Sequence, residues 1–218
     1  MINFYKTIKS DKKWNPHEDE HGLKIEFRAL ICTASGGGKT NLLTNILHEF
    51  DNTFHKIIIV TKEEEPLYDM ILKRIKSVSA QKDQIEIHYG GKIPELTNLR
   101  PLKQNGIIIF DDMVLTQSKD IGEIFIRARK MNFSSIFISQ SYFGIQKLIR
   151  QNCNYIWLGR GILERDLKLI LSEYSINLSK DELVDLYNQI TAKKMYFMMI
   201  DLEDRTIREN IKDIILRF

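Results

Sequence analysis

The chain has 218 residues, of which 43% are hydrophobic and 28% charged, and its net charge is +3. That length can bury one sizeable core without disulfide or metal staples. The mild positive balance is compatible with nucleic acid as a partner but does not demand it. Cys32 and Cys153 both sit in apolar runs, which predicts buried thiols in a reducing compartment rather than a bridge. The five histidines are scattered and show no zinc spacing. The N-terminus lacks the pattern of a secretory signal, and apolar runs of 4–6 residues are too short to span a bilayer. The expectation is an intracellular protein with no membrane segment.

Residues 1–24 are polar, carry Pro16 and read as an N-terminal arm; residues 25–218 read as a single domain. Strands are expected at 27–33, 56–61, 85–89, 106–112, 134–140, 154–159 and 194–201, from β-branched and apolar runs. Helices are expected at 39–50, at 66–76 with Pro66 in the first turn, and at 119–131, 143–151, 162–173, 180–191 and 207–217. In the 180–191 segment, Leu183, Leu186 and Ile190 recur at helical intervals and are assigned to the core. Apolar strands alternating with helices predict an α/β fold with a mainly parallel sheet covered on both faces. Ligands of such sheets bind at the carboxyl ends of the strands.

One of those ends carries "TASGGGKTN", residues 33–41. A phosphate-binding loop reads Gly, four residues, then Gly-Lys-Ser/Thr, between a strand and a helix. Gly38-Lys39-Thr40 completes the second half, and Thr33 stands at the first glycine position. A threonine resists positive φ, so the loop either enters with ordinary φ at 33 or turns more tightly there. Ser35, Gly36, Gly37, Gly38, Lys39, Thr40 and Asn41 are the candidate nucleotide-binding residues. Backbone N–H groups and the following helix N-terminus would cradle phosphate. Lys39 would reach the β- and γ-phosphates of ATP, and the Thr40 hydroxyl would bind Mg²⁺.

Hydrolysis needs a second metal-holding group and a group that orients water. "IIIFDD" supplies Asp111 at a strand end for Mg²⁺ and Asp112 to polarise water, one methylene shorter than the glutamate usual there. "SSIFISQ" ends in Gln140. If its strand lies between the phosphate-loop strand and the acidic strand, Gln140 faces the γ-phosphate.

These three motifs in this order resemble an additional-strand P-loop ATPase with central sheet order 5-1-4-3-2. The glutamine closing the fourth strand is similar to that of the FtsK/HerA group of DNA-pumping ATPases. There an arginine eleven residues earlier acts in the neighbouring subunit's site; here Arg129 lies eleven residues before Gln140. Asp111-Asp112, the Ser139–Phe143 run (Ser-Gln-Ser-Tyr-Phe) and Ile149-Arg150-Gln151-Asn152 look like the poxvirus-type genome-packaging ATPases of large DNA viruses. The resemblance covers roughly residues 25–205. Lys130 departs from it, standing where many viral members have histidine.

The resemblance implies a homo-oligomeric ring of five or six subunits that hydrolyses ATP and drives double-stranded DNA into a preformed capsid, with a capsid or portal component as partner. It would act in the host cytoplasm or at the viral assembly site, or within the virion. Arg129 would be the arginine finger acting in trans, with Arg127 as its runner-up; Arg150 would report nucleotide state or form a structural salt bridge. A ring that moves over any sequence grips phosphates, so Lys92, Lys103 and the Lys73-Arg74-Lys76 patch are candidate DNA contacts. Lys9, Lys12 and Lys13 are candidates for docking a capsid or portal. Two alternatives stay open: a small nucleotide kinase with "GRGILERDLK" (159–168) as its lid, and a nucleotide-binding switch that does not hydrolyse.

Overall fold

The structure, a computed structural model, describes residues 14–78, 85–95, 99, 104–114 and 119–218, with backbone only at 72 and 74–78. Six apolar runs form parallel strands: β1 (Arg28–Cys32), β2 (Lys56–Thr61), β3 (Ile85–His88), β4 (Gly106–Asp111), β5 (Phe133–Ser139) and β6 (Tyr155–Leu158). Three more, β7 (Met198–Asp201), β8 (Thr206–Glu209) and β9 (Asp213–Arg217), extend the sheet antiparallel. The sheet order is β3-β2-β4-β5-β1-β6-β7-β8-β9. Within it, β6-β1-β5-β4-β2 is the expected 5-1-4-3-2 arrangement, with β3 added outside β2.

The helices are α1 (Glu18–His21), α2 (Lys39–Glu49), α3 (Pro66–Val78), α4 (Lys119–Arg127), α5 (Lys147–Arg150), α6 (Glu164–Glu173) and α7 (Lys180–Thr191). Alternate residues of each central strand face opposite cores, as pleating requires. Leu30, Ile108 and Phe110 join one core with Ile124, Ile149, Ile170 and Leu183 from α4 to α7. Ala29, Ile31, Ile107 and Ile109 join the other with Leu43, Ile46 and Tyr68 from α2 and α3. A strand buried on both faces has no polar side to show, which is why these runs are continuously apolar. Among the described residues no helix is long and apolar enough to cross a membrane.

Three expected elements are corrected. The segment read as a helix at 207–217 is the β8–β9 hairpin. Ile207, Ile211, Ile214 and Ile215 imitate helical spacing, but Asn210 sits at φ 59. It is held there by the Trp157 indole N–H, which donates to its carbonyl (2.8 Å), and by its side-chain oxygen, which accepts from Phe197 N–H (3.1 Å). The pairing shifts register between Ile207 and Arg208. The helix expected at 143–151 is confined to Lys147–Arg150, because Arg150 Nη1 takes the carbonyls of Phe143 and Ile145 out of any helical ladder. The last stretch of the 119–131 helix tightens into a 3-10 turn, Ala128–Met131.

Residues 14–24 lie against the amino ends of the strands. Asn105 Nδ2 donates to the Trp14 carbonyl (2.6 Å), and the Trp14 indole donates to Asn52 O (3.1 Å). Leu23 and His21 are buried. Arg208 ties this segment to the far hairpin: it pairs with the buried Asp201 and donates to His21 O (2.8 Å).

Two outcomes follow from those burials. Arg208→Met leaves the Asp201 carboxylate buried without its cation and should cost about 3 kcal/mol in urea unfolding. Burial lowers the His21 pKa from 6.5 to about 4. A cation-forming group whose folded pKa is depressed adds stability above its unfolded pKa and loses it as pH falls. The urea midpoint should therefore drop between pH 6.5 and about 4, and His21→Asn, which keeps an acceptor for Leu23 N–H, should flatten that part of the profile.

Candidate nucleotide site

The phosphate loop leaves β1 at Thr33, which is fully buried and not among the positive-φ residues. The loop thus enters with ordinary backbone geometry at the position where the pattern has glycine. Thr33 N–H donates to Ser139 O (3.2 Å), and its hydroxyl donates to Arg160 O (3.1 Å), which also accepts from Ala34 N–H (3.0 Å). The side chain that replaces glycine is therefore used to fasten the loop to its neighbours. Gly37 pays for this in space: a Cβ there would fall 1.9 Å from Thr33 Oγ1. Gly38 caps α2 at φ 92, a conformation that suits glycine. The first turn of α2, Lys39 to Asn41, then presents its free N–H groups at the loop.

Registers place the other motifs beside it. Cys32 pairs with Ser139, and Asp111 with Ile138, so β1, β5 and β4 end together. β5 lies between the phosphate-loop strand and the acidic strand, the condition under which Gln140 faces the phosphate end. Asp111 is 5% exposed, with Lys39 Nζ 3.5 Å from its Oδ1. That is an ion pair without a hydrogen bond, and Oδ1 has no hydrogen-bond partner among the described residues. Oδ2 accepts from the Tyr68 hydroxyl (2.7 Å). Tyr68, on α3, is fully buried, and burial against Asp111 pushes its pKa far up, so it stays a donor. A buried carboxylate with one oxygen fixed and the other unsatisfied, next to the Thr40 hydroxyl's helix, fits a divalent cation held between Thr40 and Asp111.

Asp112 and Gln140 are both exposed at the strand ends, with a long contact of 3.4 Å from Gln140 Nε2 to Asp112 Oδ2. Asp112 sits at φ 54, a left-handed conformation that aspartate tolerates at some cost.

The basic candidates are not brought to this site. Arg129 lies in the 3-10 turn before β5, while Gln140 follows the other end of that seven-residue strand. The strand separates them by about 20 Å. Arg129 is exposed and makes no ion pair among the described residues; its charged neighbour is Arg28, whose pKa is lowered by burial and by Arg129. Arg127 is engaged by Glu123 one helical turn back. Arg150 is 7% exposed, pairs with Glu173 through Nη2 (2.6 Å) and stacks 5.3 Å from the Tyr142 ring centre. Its environment is that of a structural node joining α5 to α6. Lys92 and Lys73 are exposed. Lys9, Lys12, Lys13 and Lys103, and the side chains of Arg74 and Lys76, lie outside the described residues.

Two parts of the site carried no sequence signal. Tyr68 reaches Asp111 from 43 residues away, and nothing in its own helix marks it. Arg160 matters here through its carbonyl, which any residue has.

A phosphate loop fastened to the carboxyl edge of a parallel sheet, with acid and glutamine on the two neighbouring strands, defines a P-loop NTPase fold. A model of the poxvirus A32 protein family matches residues 17–214, so the chain belongs to that family. DNA packaging protein OPG160 of vaccinia virus (strain Copenhagen) is 24% identical over 201 residues, spanning 87% of this chain and 74% of that protein. The monkeypox virus OPG160 is also 24% identical, with 66% of its length covered. Among solved structures, the genome packaging NTPase B204 from Sulfolobus turreted icosahedral virus 2 in complex with AMP aligns over 85% of this chain and 98% of its own, with a TM-score of 0.59 and 14% identity. Its complex with ATP-gammaS gives a TM-score of 0.59 at 16% identity, over 88% and 100% of the two chains. At that identity the likeness is one of fold.

Tyr68→Phe should remove the hydrogen bond that fixes Asp111 Oδ2 and cost about 1–3 kcal/mol in chemical unfolding, the range for a buried polar atom left unpaired. Asp111→Asn combined with it should cost little more, because the charge that needed the bond is gone.

Proposed function

We propose that the chain is an ATP-hydrolysing motor that drives double-stranded DNA into a preformed capsid, as a homo-oligomeric ring of five or six subunits, with a capsid or portal component as partner. It would act in the infected cell, at the site of virion assembly. Membership of the poxvirus A32 family and the DNA-packaging names of the viral relatives support this reading. The observation that carries the ring is the placement of Arg129. It lies a full strand length from its own phosphate loop, exposed, with no carboxylate paired to it among the described residues. It is too far away to serve its own site and is free to serve a neighbour's.

In this mechanism the N–H groups from Gly36 to Asn41 and the Lys39 ammonium bind the phosphates. Thr40 and Asp111 would hold Mg²⁺, which when bound neutralises charge on the phosphate oxygens. Asp112 and Gln140, 3.4 Å apart from Oδ2 to Nε2, orient the attacking water. Arg129 of an adjacent copy stabilises the charge that develops on the transferring phosphoryl group. Exposed lysines such as Lys73 and Lys92 grip the DNA backbone without reading bases, so affinity falls as salt rises.

The test is ATP turnover over a protein-concentration series, with and without long linear double-stranded DNA. Specific activity should climb with concentration and rise further with DNA. Arg129→Ala should lower it by about 10³-fold or more, and Arg127→Ala far less. Mixing Arg129→Ala with Lys39→Ala protein should restore part of the activity, since each supplies what the other lacks. Turnover that ignores concentration, DNA and Arg129 would sink the ring reading.

A further inference from the structure

The connection between α7 and β7 belongs to none of the motifs above, yet it reaches the phosphate loop. Met195 sits at φ 65, a left-handed conformation that a methionine seldom adopts without surrounding structure to impose it. Its Sδ lies 2.2 Å from where a Cβ on Gly38 would be. The sulfur therefore packs directly on the glycine that opens α2. Even so, Met195 is 42% exposed, so a large apolar face beside a phosphate loop is left open to whatever the loop holds.

This connection is fixed rather than loose. Phe197 is buried under Gly159, where a Cβ would fall 2.5 Å from its ring, and Phe197 N–H donates to Asn210 Oδ1. The β6–α6 loop beside it is held by Tyr187, whose hydroxyl donates to Gly159 O (2.8 Å) and accepts from Ile162 N–H (2.9 Å). In the turn itself, Lys193 Nζ lies 4.6 Å from the centre of the Tyr196 ring.

Topology says which end of a nucleotide would arrive there. Leu158 at the end of β6 pairs with Met198 at the start of β7, so both loops sit at the carboxyl edge. In the sheet order, β4 and β5 flank β1 on one side, and β6 and β7 on the other. A triphosphate whose terminal group faces Asp111 and Gln140 must send its sugar and base toward β6 and β7. We propose that the Lys193–Tyr196 turn, with the exposed Arg160 beside it, forms the nucleoside end of the site, with the Met195 thioether packed on the face of a purine base. Polarizable sulfur favours aromatic rings, and Met195 keeps 42% of its surface open beside the loop. This inference rests on the nucleotide-binding reading above and adds the residues that would recognise the nucleoside.

The experiment is calorimetric titration of ATP and of inorganic tripolyphosphate, which has no base, into wild type, Met195→Asn and Lys39→Ala. Asparagine tolerates the left-handed backbone, so the variant removes the thioether without straining the turn. Met195→Asn should bind ATP about 3- to 10-fold more weakly while tripolyphosphate binding stays at the wild-type value. Lys39→Ala should weaken both ligands. Equal losses for ATP and tripolyphosphate in Met195→Asn, or no loss for either, would overturn the inference, since Met195 would then only shape the loop or do nothing for the ligand. Failure of wild type to bind either compound would overturn the nucleotide reading itself, and the inference with it.

Discussion

The Arg160 carbonyl holds the candidate site together. It accepts from both the Thr33 hydroxyl and the Ala34 N–H, while the Ser139 carbonyl takes the Thr33 N–H from the other side. The first turn of the phosphate loop is thereby stretched between the ends of two neighbouring strands. The sheet fixes its entry at Thr33, and the close approach at Gly37 accommodates that anchor. Since β1 pairs with β5 and β6 in continuous parallel register, any change in strand order would take the loop's anchors away. Asp111 and Gln140 stand at the ends of the same parallel ladder, and Met195 lies in the turn before β7, which pairs antiparallel to β6.

Much of this was legible in the sequence, for a simple physical reason. Strands covered on both faces must be apolar throughout, and helices covered on one face must be apolar at intervals, so Ile57–Val60, Ile107–Phe110 and the α2 stripe of Leu42, Leu43 and Ile46 announce themselves. The site residues with local spacing, Gly38-Lys39-Thr40, Asp111-Asp112 and Gln140, announce themselves too, because phosphate binding demands consecutive backbone geometry. The resemblance to viral packaging ATPases rests on Asp111-Asp112, Ser139–Phe143, Arg129 and Ile149–Asn152, and family membership agrees with it.

The unread parts are those whose meaning is not local. Tyr68 looks like one more apolar residue of α3, and only the fold shows its hydroxyl ending on a buried carboxylate. Met195 acts across the gap to Gly38. The β8–β9 hairpin mimics a helix because Ile207 and Ile214 come from two separate strands and Ile211 from the turn between them, and together they fall at helical intervals. Asn210, whose turn decides the matter, is held by Trp157 of β6 and by Phe197 just before β7. Thr33 is the instructive case: what looked like a weakened motif is a residue recruited as a hydrogen-bond donor, and Gly37 is small because Thr33 is not.

The shifted pairing at Ile207 and Arg208 also bears on the outer edge of the sheet. β9 is an outermost strand, with Ile214 and Ile215 about half exposed, and such an edge invites another strand to add to it. The irregular register twists β9 away from a flat template, and charged Asp213 and Arg217 lie along it with Lys212 just before it, all exposed. Both devices penalise edge-to-edge growth of the sheet. The edge at β9 is thereby a poor template for a second sheet.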